Sequence, residues 1–143
     1  MPATASTTLA SVPDRYFGAW NGRDETALDS LLADSFTWTD PMLPAPLDSV
    51  AGARAFLTGS WAGMSDLRFE LVGGPCVDEA NSRVAQEWRM LCTHDGEFNG
   101  IPATGKQVDI LGTDVFTVDG DGRVTDVRAY YDSATVLRQL GLA

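Results

Sequence analysis

The stretch TWTDP, Thr37 to Pro41, places the carboxyl group of Asp40 at the end of a run of β-forming residues and directly before a proline. A second aspartate, Asp114, interrupts the apolar run QVDILGTDVFTV, and Tyr16 stands one helical turn from both Val12 and Trp20. Two carboxyls and a phenol can abstract and donate protons, provided they share a site dry enough to favour the neutral acid. Each also has a plainer explanation. Asp before Pro often closes a turn, a strand Asp is often satisfied by Thr, Asn or backbone, and a helical Tyr often belongs to the core. The phase of each residue within its element decides between these readings.

From Thr8 to Asn21, Leu9, Val12, Tyr16, Ala19 and Trp20 recur at three- and four-residue steps, the stripe of an amphipathic helix. Residues 1–8, rich in Ala, Ser and Thr, read as a disordered leader, leaving residues 9–143 as one domain. Asp24 is a candidate N-cap for a second helix whose buried face is Leu28, Leu31 and Leu32. FTWTD then reads as a short strand, and Pro41, Pro44 and Pro46 make the following loop irregular. Asp48 or Ser49 would cap a third helix carrying Val50, Ala53, Phe56, Leu57 and Trp61. Beyond it the period changes to two. LRFELVG, RVAQEWRMLCTH, QVDILGTDVFTV and RVTDVRAYY read as strands bounded by turn-rich segments, and Ser133 would cap a last short helix. Helices followed by successive hairpins predict an α+β fold, with the helices on one face of a curved antiparallel sheet.

Alternate strand residues face opposite sides of a sheet. Asp114 therefore shares a face with Val108, Ile110, Phe116 and Val118, whereas Asp109 belongs with Gln107, Thr113 and Thr117. Asp40 falls with Phe36 and Trp38, and Tyr16 lies on the apolar stripe of its helix. A bare carboxylate buried in such company costs several kcal/mol, so each acid must be paired, hydrogen-bonded, protonated or open to a cavity. Inward cations are scarce. Arg89 has the parity opposite to Trp88 and Met90, while Arg128 shares a face with Tyr130 and Asp132.

The remaining features restrict the class of function. A chain of 143 residues suits one core, and a formal charge of −10 disfavours nucleic acid, whose recognition rests on Lys and Arg. The sequence has no apolar run of the roughly 20 residues a membrane span requires, and residues 1–13 lack the basic start and apolar centre of a secretory signal. Cys76 and Cys92 match no CxxC pattern, which suits reduced thiols and a cytoplasmic setting. The single His94 and scattered acids form no metal-ligand motif, and there is no glycine-rich phosphate loop, so no cofactor is expected.

RYFGAWNGRDETALDSLLADSFTWTDP resembles the opening of bacterial ketosteroid isomerases, with RY on a first helix, an N-x-x-D break and a strand ending in D-P. GIPATGKQVDILGTDVFTVDGDGRVTDVRAYYD and the terminal LRQLGL resemble SnoaL-like polyketide cyclases. Both belong to the nuclear transport factor 2-like superfamily, and the matches run from about Pro13 to the end. The resemblance implies a cone-shaped α+β barrel around a deep apolar pocket, with homodimers forming through the outer sheet face. It also implies Asp40 as general base, with Tyr16 and protonated Asp114 as the oxyanion hole. In the cyclases an acid and a neighbouring His act on a β-dicarbonyl chain, which puts Asp114 and His94 in those places. Asp132 is a further acid that could reach the pocket, its plainer role being to cap the last helix. Trp20, Phe36, Trp38, Phe56, Trp61, Trp88, Met90 and Phe116 are the expected walls. The supporting tyrosine of many isomerases has no counterpart in this alignment.

The expected activity is a cofactor-independent isomerase or cyclase that removes a proton next to the carbonyl of a hydrophobic steroid-like or polyketide-like substrate. Two alternatives stand beside it. An epoxide hydrolase or hydratase would need an inward arginine between two acids, and a non-catalytic small-molecule-binding or dimerisation module would leave the buried acids without a task.

Overall fold

The computed structural model describes residues 5–143. Four α-helices and one 3₁₀ turn accompany a six-stranded sheet: α1 (Ser6–Asn21), the 3₁₀ turn (Glu25–Ala27), α2 (Leu28–Leu31), β1 (Leu32–Thr39), α3 (Val50–Gly63), β2 (Arg68–Leu71), β3 (Cys76–Asp78), β4 (Arg83–Thr93), β5 (Gln107–Val118), β6 (Val124–Tyr130) and α4 (Ser133–Gln139). The sheet runs β1-β6-β5-β4-β2, with β3 also on β4. This is the expected α+β architecture, its long β4, β5 and β6 paired antiparallel. Among the described residues the one parallel pair is β1 with β6, which aligns Trp38 with Val127.

Several boundaries differ from the sequence reading. Helix α1 begins at Ser6, so residues 6–8 belong to it, and residues 1–4 of the expected leader lie outside the described residues. The second helix is only a 3₁₀ turn and a single α-turn, because Leu32 already starts β1. The Asp24 side chain makes no capping bond there and instead accepts from the Thr26 hydroxyl at 2.6 Å. Strand β3 went unanticipated, since its three residues follow GGP and precede a turn. Helix α3 is capped as expected, Ser49 Oγ accepting from Gly52 N–H at 3.1 Å.

The core forms where the α1 stripe meets the concave face of the sheet. Leu9, Val12, Tyr16 and Trp20 are buried against Val84, Trp88, Phe116 and Val127. Aromatic edges lock this contact, with Tyr16 4.9 Å from Phe116 and 5.4 Å from Trp38, and Trp20 5.6 Å from Phe56. Among the described residues no helix is long and apolar enough to cross a membrane.

Two loops close over the open end of this interior. The Pro41–Pro46 segment is pinned by reciprocal backbone bonds between Trp38 and Leu47 at 2.9 and 2.8 Å. The 94–106 segment is fastened to the end of α3, where the amides of Asp95 and Gly96 donate to the Gly63 carbonyl. A Cβ on Gly96 would lie 2.2 Å from the Ala62 carbonyl oxygen, so this docking requires glycine. Asn99 joins the two loops by donating to the Met42 carbonyl at 3.0 Å.

Candidate active site

Inside β1 the inward positions are Phe36 and Trp38, and the next inward step is Asp40, just past the strand end. Pro41 stops the strand, and the chain folds back so that Met42 N–H donates to Asp40 Oδ1 at 2.9 Å and Leu43 N–H donates to the Asp40 carbonyl at 3.0 Å. Asp40 therefore closes a turn and faces a cavity at once. The Tyr131 hydroxyl also donates to Oδ1. Both bonds fall on the same oxygen, and among the described residues none reaches Oδ2. Burial pushes the Asp40 pKa above its ordinary value, while the bonds from Tyr131 and Met42 hold it partly back.

Asp114 is only 3% exposed. Its Oδ1 accepts from the Trp88 indole N–H at 2.9 Å. Desolvation lifts its pKa to about 7; the bond from Trp88 opposes that rise, the nearby Asp40 charge adds to it, and Tyr16 opposes it. Burial therefore favours the neutral acid far more than at an exposed aspartate. Burial and the charge of Asp114 together hold the Tyr16 phenol well above its ordinary range, so it remains a donor. The two acids and the phenol line one cleft, reached from α1, β1 and β5, just as the inward phase predicts.

This cleft is apolar between its polar groups. It encloses a cavity of about 70 Å³ that opens to solvent at one end. Trp20, Phe56, Trp88 and Met90 line it as expected. Four other expected walls do not. Phe36, Trp38 and Phe116 are consumed by the core between helices and sheet, and Trp61 packs edge-on against Trp20 beneath the Arg23 guanidinium. An inward phase brings a side chain to the interior, and whether it meets a void or another ring depends on what lies opposite.

His94 also lines the cleft, and among the described residues no hydrogen bond joins it to Asp114. Five residues of β4 lie between it and Trp88, about 20 Å of extended chain. Its ring Nδ1 lies 3.0 Å from Thr104 Oγ1 and accepts from Thr104 N–H at 3.3 Å, while its backbone bonds Lys106 and Gly105. His94 thus fastens the ends of the 94–106 loop from within the cleft it shares with Asp114. Asp132 is not among the residues that line the cleft. It is exposed, caps α4 by accepting from Ala134 N–H at 3.0 Å, and stands 3.6 Å from Arg138. Ser133 is accordingly the first helical residue and not the cap.

Tyr131 escaped the sequence reading, although a signal existed: it continues the inward phase of Val127 and Ala129, both buried. Met42 had no such signal, because its position depends on the proline loop. Neither Arg89 nor Arg128 enters the cleft. Arg89 pairs with Asp109 at 2.6 Å and Arg128 with Asp126 at 3.1 Å, both outside the cleft. Cys92, buried with its Sγ 3.3 Å from Met64 Sδ, has its thiol pushed up to about 12 by desolvation and stays protonated.

A comparison with curated proteins gives no match. Among solved structures, TsrD from Streptomyces laurentii superposes with a TM-score of 0.82 at 21% identity, over 98% of this chain and 99% of that one. A candidate SnoaL-like polyketide cyclase from Jannaschia sp. CCS1 gives 0.82 at 20%, covering 100% and 99%. A candidate polyketide cyclase from Acidithiobacillus ferrooxidans gives 0.76 at 27%, covering 98% and 99%. The SnoaL-like polyketide cyclase family model matches residues 10–140, nearly the whole chain. The chain therefore belongs to the SnoaL-like polyketide cyclase family.

Proposed function

We propose that this protein catalyses an enolate-forming ring closure or isomerisation of a hydrophobic, polyketide-like carbonyl compound. The observation that carries the reading is the division of labour between two acids in one cleft. Asp40 has Oδ1 saturated by two donors and Oδ2 unengaged, whereas burial biases Asp114 toward its neutral form beside the Tyr16 phenol.

In this reading Asp40 Oδ2 removes the proton from carbon next to a carbonyl. The electron pair moves onto the carbonyl oxygen, which receives hydrogen bonds from Tyr16 and neutral Asp114. The enolate carbon then attacks a second carbonyl of the same molecule, and the proton held by Asp40 passes to the new alkoxide. In an isomerase it would return to a different carbon. A positioned base contributes roughly 10²–10⁴-fold and a single oxyanion donor about 3 kcal/mol. Family membership favours the cyclising branch over the steroid one.

A water-activating hydrolase would require a guanidinium between the acids, whereas Arg89 and Arg128 are paired outside and no arginine lines the cleft. A purely binding role leaves unexplained why two carboxyls carry the cost of burial. The test uses an aromatic β-dicarbonyl compound in D₂O, with deuterium uptake next to the carbonyl followed by NMR. Asp40→Asn should slow uptake by roughly 10²–10⁴-fold while its circular dichroism is unchanged. Undiminished uptake would reject the assignment.

A further inference from the structure

Trp88 sits directly opposite Gly112 in the β4–β5 register. A Cβ at position 112 would lie 2.4 Å from Cη2 and 2.5 Å from Cζ2 of the indole, and 2.9 Å from the Tyr130 carbonyl oxygen. Glycine is therefore what lets the ring extend across β5. That course carries Nε1 to the Asp114 carboxyl, two residues along the neighbouring strand. An indole N–H can only donate, so Asp114 Oδ1 accepts in both protonation states of the acid. The carbonyl oxygen of a protonated carboxyl is the better acceptor, so this bond favours an acidic proton on the other oxygen.

We propose that Trp88, seated on Gly112, is a positioning residue that confines the Asp114 proton to Oδ2, so that a single oxygen presents the donor the reaction uses. The inference rests on the reading of Asp114 as an oxyanion donor. The same indole meets the Tyr131 ring edge-on at 5.8 Å, and Tyr131 holds Asp40, so one side chain braces both acids. The groups facing Asp114 are Tyr16 from α1, Asp40 beyond β1, Trp88 from β4 and Tyr131 beyond β6. Its cross-strand neighbour Gln86 directs its amide to the carbonyls of Gly73 and Glu87. No Lys or Arg is among the residues lining the cleft. With no cation to set the ionisation of Asp114, the indole is the main group opposing its burial.

The test reads the free protein and requires no substrate. With ¹⁵N-labelled tryptophan and ¹³C-labelled aspartate, the Trp88 indole resonance should titrate with the same midpoint as the Asp114 carboxyl, which is assigned from its loss in Asp114→Asn. Trp88→Phe keeps a ring but removes the donor, and should move the Asp114 midpoint upward by about one pH unit or more. Gly112→Ala should displace the indole and move the midpoint in the same direction. An indole resonance that stays flat through the Asp114 titration overturns the proposal whatever becomes of the variants, as does an unmoved midpoint in folded Trp88→Phe. The two readings fail separately. Full deuterium uptake by Asp114→Asn would remove the oxyanion role and leave the Trp88 coupling standing, whereas an inactive Asp114→Asn beside a flat indole would remove only the coupling.

Discussion

Stability against pH provides a direct measure of what the buried Asp114 costs the fold. Its folded pKa is raised from an ordinary 3.8 to about 7, and the residue is fully interior. The native state therefore binds more protons at this site than the unfolded chain between those values, and stability contributed by the site falls as pH rises through that window. At about 1.4 kcal/mol per unit, the whole interval is worth about 4 kcal/mol. Asp114→Asn keeps an oxygen for the Trp88 N–H and removes the titration. Urea unfolding of the two proteins at steps from pH 4 to pH 8 should show the wild type losing about 4 kcal/mol relative to Asp114→Asn, with the loss complete near pH 8. Taking the difference cancels exposed acids such as Asp66 and Asp95, whose hydrogen bonds depress their pKa values and favour the fold at higher pH. Parallel curves across the whole range would refute the claim that Asp114 carries a desolvation cost.

Two further outcomes separate the acids of the cleft from those outside it. Tyr131→Phe removes a donor to Asp40 Oδ1, so the Asp40 pKa should climb further and the acid limb of the pH–rate profile should move to higher pH; an unmoved limb would show that Tyr131 does not act on the base. Asp132→Ala deletes the N-cap of α4 and should cost about 1 kcal/mol in thermal or urea unfolding while deuterium uptake is unchanged, whereas a large loss of turnover would return Asp132 to the site.

Local pattern was enough to place the elements that hold the chemistry. Residue alternation turned Asp114 inward and Asp109 outward, and helical spacing put Tyr16 on the buried stripe, because backbone geometry dictates those directions before any tertiary contact forms. Composition and motif order likewise pointed to the α+β fold. What local pattern could not decide was which inward side chains meet a void. Phe36, Trp38 and Phe116 share the phase of true lining residues yet fill the core, since close packing is set by the partner across the gap, far away in sequence. The same holds for the bond from Tyr131 to Asp40, which joins residues 91 positions apart. It holds too for Trp88 crossing Gly112 to reach Asp114, and for His94, whose ring the 94–106 loop takes as an anchor. Direction is a property of the local chain, whereas contact depends on two distant segments arriving at one place, and only the folded structure specifies that meeting.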